Sequence, residues 1–175
     1  MPVTVTSLHA GALLVGFVAC VTDLRTRRIP NIFTLAAVAI GLLVRFVAEG
    51  WTGVGWGVAG WTVGLLMLLP LFALRGLGGG DVKLLAALGA WTGPRLVAWT
   101  GLYGAIAGGV LALVVSLWHG VLRRTLANVS VLTTHWRVAG LGPVEGLTLE
   151  TSRGPKLPYA IPLTVGLVVA LWLKG

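Results

Sequence analysis

Acid is scarce in this sequence. Five Asp and Glu stand against 13 Lys and Arg, and charged residues make up 10% of the 175 positions; an average soluble domain carries about 25%. A domain this small has too much surface to cover with so few charges, which excludes a water-soluble globule. One cysteine, Cys20, rules out an internal disulfide and a cysteine-rich zinc site. It is expected as a buried core thiol, and no basic residue precedes it as a lipoprotein signal would require. His9, His119 and His135 do not cluster, so neither a metal nor another cofactor is expected.

What the chain does have is apolar length. Hydrophobic residues are 57% of it and 26 more are glycine, stock for about six spanning helices of roughly 20 residues and little else. The same numbers exclude disorder. The expected fold is all-α: a polytopic integral membrane bundle of about six transmembrane helices, one domain over residues 1–175. The apolar runs go from Val5 to Thr22, Ile32 to Ala48, Gly53 to Leu74, Val82 to Thr92, Leu96 to Trp118 and Leu157 to Leu173. The fourth is short, ~11 residues or ~16 Å of helix against a hydrocarbon core of ~30 Å. It must recruit neighbouring glycines, thin the bilayer or stop part-way. The polar stretch from His119 to Lys156 is read as a cytoplasmic loop, with room for an interfacial helix through Val129, Leu132 and Trp136.

The net charge of +8 would suggest nucleic acid in a soluble protein. In a membrane protein it marks the cytoplasmic side, against anionic lipid headgroups, and no nucleic acid is expected. Arg25, Arg27, Arg28, Arg75, Lys83, Arg123, Arg124, Arg137, Arg153 and Lys156 fall at one set of span ends, and Arg45, Arg95 and Lys174 at the other. The first set is therefore cytoplasmic, both termini lie outside, and the location is the inner (plasma) membrane. Trp51, Trp56, Trp91 and Trp172 fall near outer ends and Trp118 near an inner end, where an aromatic belt would place them. Gly53, Gly57, Gly60 and Gly64 recur at helical spacing, as do Gly101, Gly104, Gly108 and Ala112. Such stripes let backbones approach, within the bundle or across a homodimer seam.

Glu49, Glu145 and Glu150 fall in expected loops and need no explanation. Asp23 and Asp81 sit where apolar runs meet the cytoplasmic face, and ionisable groups there are functional candidates by default. The plain alternative is pairing with Arg25, Arg27, Arg28 or Lys83. Asp81 follows Gly78-Gly79-Gly80, whose freedom allows positive φ and close approach of a peptide backbone. Asp23 opens Asp23-Leu24-Arg25-Thr26-Arg27-Arg28-Ile29-Pro30-Asn31, in which Pro30 breaks the helix and starts the next within its first turn.

These two segments, Asp23 to Asn31 and the Gly-x-Gly-Asp-x-Lys-Leu run from Gly78 to Leu84, resemble the prepilin peptidase family of intramembrane aspartic peptidases. Lys156-Leu157-Pro158-Tyr159-Ala160-Ile161-Pro162 is similar to the family's Pro-Tyr or Pro-Phe segment. The resemblance runs over nearly the whole chain and is weakest from His119 to Lys156. It implies Asp23 and Asp81 as catalytic residues, with Gly78, Gly80, Lys83, Pro30 and Asn31 supporting them or the substrate. Larger members add a region with paired cysteines and methyltransferase activity; nothing here matches it, so the resemblance is to the short, peptidase-only form of tight-adherence pilus systems.

The implied substrates are prepilin-like membrane proteins with a short basic leader, a Gly before the cut and a hydrophobic helix after it. Two adjacent carboxylates share one proton near neutral pH, one activating water while the other polarises the scissile carbonyl. Asp23 at a helix carboxyl end is expected as the protonated partner, and Asp81 at an amino end as the carboxylate. Two other classes compete: a small ion- or proton-coupled transporter, whose acids would more naturally sit near mid-membrane, and a nonenzymatic assembly factor.

Overall fold

The computed structural model describes residues 5–140 and 158–175, and every regular element among them is a helix. In chain order these are α1 (Val5–Thr26), α2 (Asn31–Ala73), α3 (Gly79–Trp118), α4 (Leu122–Ala139) and α5 (Ala160–Lys174). Three of them, α1, α2 and α3, are long and apolar enough to cross a membrane. Glu145, Glu150, Arg153, Lys156 and Leu157 lie outside the described residues.

Two of these helices are hairpins. A straight helix of 43 residues would run about 65 Å, twice the hydrocarbon thickness, but α2 breaks at Gly50 (φ 64, ψ −146), a conformation open only to glycine. Beyond the break the chain folds back. A Cβ on Gly57 would strike the Leu42 side chain, which a straight helix would hold about 22 Å away. In the same way α3 breaks at Gly93 (φ 82, ψ 174), just before Pro94, and Gly101 returns to the Leu85 side chain. The six apolar runs thus become α1, the two arms of α2, the two arms of α3, and α5. Glu49, expected in a loop, lies instead in the helix before Gly50 and pairs with Arg45 at 3.8 Å.

The short fourth run is the centre of the bundle. Val82 and every residue from Leu84 to Gly93 is buried, so neighbouring helices surround the first arm of α3 and its shortness is matched by protein instead of lipid. Its end is finished by a side chain from α2. Pro94 has no N–H to offer the Ala90 carbonyl one turn back. Arg45 supplies the missing donor, with Nε donating to Ala90 O at 3.0 Å and Nη2 to Trp91 O at 2.8 Å.

Trp91 closes the same end. Its Nε1–H donates to Ala37 O at 2.8 Å and its ring fills a slot that a Cβ on Gly11 or Gly41 would block. Both residues correct the sequence reading: Arg45, at 7% exposure, is not an outer loop charge, and Trp91, also 7%, is not in an aromatic belt. Trp51, Trp56, Trp118 and Trp172 are exposed, as belt residues would be.

The glycine stripes are consumed inside the chain. Gly60 and Gly64 abut the backbone at Gly89 and Leu85, Gly104 abuts Leu163, and Gly108 abuts the Tyr159 ring. These contacts account for internal packing and leave neither stripe free as a seam between copies. The outward faces are apolar, with Leu14, Phe17, Leu35, Leu43 and Val47 all exposed, as lipid contact requires. Past Gly120 (φ 67), residues 122–139 of the polar stretch form α4, the helix for which the sequence left room beside a plain loop.

Candidate active site

Asp23 occupies the last turn of α1, which ends as Arg27 turns to φ 51. Ile29 is buried, and Pro30 (φ −61, ψ 136) stands at the N-cap of α2, one residue ahead of the first turn expected for it. Asp23 is 8% exposed, and its Oδ2 accepts the backbone N–H of Ala160 at 3.3 Å. One turn back, Cys20 Sγ lies 3.3 Å from Ala160 O and 3.1 Å from Thr164 Oγ1. Thr164 Oγ1 in turn donates to Gly16 O at 3.1 Å. These contacts fasten the start of α5 to the end of α1, and Cys20, expected as a buried packing residue, is partly exposed and hydrogen-bonded within that seam.

Asp81 lies in the first turn of α3, after Gly78 at the N-cap (φ −74, ψ 144). The preceding glycines are not in the positive-φ region that was expected of them. They are spacers. A Cβ on Gly78 would stand 3.1 Å from Asp81 Oδ2, one on Gly79 would stand 3.3 Å from the Phe72 ring, and one on Gly80 would stand 3.3 Å from Ile29 Cβ.

Asp23 and Asp81, 58 positions apart in sequence, line one pocket of about 690 Å³ with Gly78, Gly80, Pro30 and Asn31, a volume ordinary for a ligand cleft. Lys83 does not line the pocket; its Nζ donates to Asn31 Oδ1 at 2.8 Å, tying the start of α3 to the start of α2. All seven residues singled out in the sequence therefore gather at one end of the bundle. Sequence reasoning missed the Ala160 amide, and the only trace of it was the resemblance of the segment around Tyr159. That amide also places a helix N-terminus beside Asp23, so the dipole contrast expected between the two aspartates disappears.

Fold and site together define a helical membrane protein with two aspartates lining one pocket at one end of its bundle. The chain belongs to the type IV leader peptidase family, whose pattern matches residues 10–113. It is 35% identical over 128 residues to proteins named prepilin leader peptidase/N-methyltransferase from Burkholderia pseudomallei strains 1026b and K96243, covering 65% of this chain and 41% of each relative. A protein of the same name from Pectobacterium carotovorum subsp. carotovorum is 31% identical over 131 residues, covering 70% of this chain and 46% of the relative. The chain thus spans less than half the length of these relatives. No solved structure matches it significantly.

Proposed function

We propose that this protein is an intramembrane aspartic endopeptidase that removes the basic leader from prepilin-like membrane proteins at the cytoplasmic face of the inner membrane. The observation that carries the proposal is the meeting of Asp23 and Asp81 in one glycine-walled pocket at the edge of an apolar bundle. Family membership supplies the substrate class. The bundle crosses the membrane six times, with each arm of α2 and α3 counted once and both termini outside.

In the reaction, one carboxylate takes a proton from water as the water oxygen bonds to the scissile carbonyl carbon. The other, protonated, gives its proton to the carbonyl oxygen. The first carboxyl then gives the proton it took from water to the nitrogen of the gem-diol as the C–N bond breaks, and the second, now ionised, takes a proton back from a gem-diol hydroxyl, leaving a carboxylic acid and an amine. Gly78 and Gly80 leave the cleft wall free of side chains, so an extended peptide can approach the carboxylates. The basic leader meets a basic surface, and most of the affinity comes from the substrate's hydrophobic helix packing beside the spans.

Purified protein in lipid, given a prepilin-like peptide, tests the proposal. Cleavage by the unaltered chain is expected, and Asp23→Ala and Asp81→Ala should each lower it by about 10³ or more, as loss of a general acid or base does. Robust cleavage by either variant would overturn the assignment. Absence of cleavage by the unaltered chain, with substrate bound, would favour an assembly role.

A further inference from the structure

We propose that α4 is a lipid-binding surface: it lies in the headgroup plane of the anionic leaflet at the aspartate end of the bundle, apolar stripe inward and arginines among the phosphates. The inference rests on the reading above that this end faces the cytoplasmic leaflet, but it does not depend on proteolysis.

Three observations carry it. First, among the described residues α4 has no protein partner for most of its surface. It touches α3 alone among the described elements, through its first turns, where Thr125 Oγ1 meets Ser116 Oγ at 3.2 Å. Leu126, Val129, Val131 and Val138 are all exposed. Second, its register divides it. Leu122, Leu126, Val129 and Leu132 fall within one arc of the helix, while Arg123, Ser130, Thr134 and Arg137 fall on the adjoining face. Its sequence holds three arginines and no acid, the composition that anionic headgroups attract and that suits an interfacial helix.

Third, its position is set by a lipid-facing neighbour. The second arm of α3 returns to the aspartate end and finishes at Trp118, 87% exposed, where an interfacial tryptophan would stand. Gly120 at φ 67 then turns the chain sharply. α4 therefore begins at the depth where headgroups begin. A basic protein partner is poorly suited to it, and an acidic one would have to displace lipid from the same site.

Depth measurements on the full chain in vesicles test this. In a Cys20→Ser background, Val129→Cys and Val131→Cys each carry a nitroxide label, and collisions with oxygen and with a water-soluble nickel chelate are compared. In vesicles containing phosphatidylglycerol, the ratio of oxygen to nickel accessibility should be about threefold or more higher at 129 than at 131, since one lies in the stripe and the other opposite it. In phosphatidylcholine alone the contrast should fall, and Arg123→Gln with Arg137→Gln should reproduce that fall in phosphatidylglycerol. Equal ratios at the two positions would overturn the proposal, as would a contrast indifferent to headgroup charge. Spin–spin broadening at 129 that vanishes on dilution with unlabelled protein would replace lipid with a second copy of the chain.

Discussion

A single hydrogen on Gly78 decides how near the Asp81 carboxylate can stand to the backbone. A methyl group there would sit 3.1 Å from Oδ2, tighter than an ordinary contact, and the carboxylate must give way by a few tenths of an ångström. A general acid or base moved even slightly off its line loses rate steeply. Gly78→Ala should therefore lower cleavage about tenfold or more while thermal unfolding in detergent stays nearly unchanged. Gly79→Ala is the control, because its methyl meets only the rim of the exposed Phe72 ring, which can swing aside; near-normal cleavage is expected. If both variants lose activity alike, the spacing at Gly78 is not what matters. The two aspartates were legible in the sequence because acids are so scarce that two at apolar boundaries stand out. The reason for the glycines was misread: backbone freedom was expected, and the structure instead uses absence of bulk at ordinary negative φ.

Among the elements, hydropathy located the apolar runs well, since helices facing lipid are apolar along their length. It could not tell a loop from a broken helix. Gly50 and Gly93 join runs that look separate, and their meaning lies in φ values of 64 and 82 that no composition reveals. Gly50→Ala should destabilise the protein by about 1–3 kcal/mol, the cost of forcing an alanine into a region reserved for glycine, although nothing stands within 4 Å of the added methyl. Gly55→Ala, also in open space but at ordinary helical φ, should be neutral or stabilise by about 0.5 kcal/mol. Opposite shifts in thermal midpoint in the same detergent would separate conformational strain from steric crowding.

Arg45 was read as a loop charge for a related reason, since its partners lie 45 and 46 positions away and are main-chain carbonyls. Arg45→Met should cost about 2–3 kcal/mol by leaving the Ala90 and Trp91 carbonyls buried without donors, and Arg45→Lys, which can reach one of them, should cost less. Equal midpoints for Arg45→Met and the unaltered chain would show that water or another group takes over the cap.

At the scale of the whole molecule, burial of Arg45 bears on the argument for orientation. Removing it from the outer set leaves Arg95 and Lys174 at that end, and Lys174 lies over the Trp99 ring, 4.8 Å from its centroid, as an anchored boundary cation would. At the other end Arg25, Arg27, Arg28, Lys83, Arg123 and Arg137 are all exposed, around the mouth of the pocket and along α4. The positive-inside bias counts basic residues near span ends that can meet the cytoplasm, and these six against two keep the sense of the asymmetry in the sequence. In the proposed orientation the turn at Gly50 faces outward and α4 inward.

Single cysteines in a Cys20→Ser background would read this directly, because serine keeps a hydroxyl in the seam with Thr164. Trp51→Cys, beside the α2 turn and 80% exposed in the native chain, should react with a membrane-impermeant maleimide in intact cells. Arg123→Cys, at the start of α4, should react only after permeabilisation. The reverse pattern would put the carboxylate pair on the outer face, out of reach of a leader still in the cytoplasm, and would remove the prepilin reading while leaving the carboxylate site intact. Equal labelling of both positions in intact cells would mean that the arms of α2 do not both cross, and the six-span architecture would fall with it.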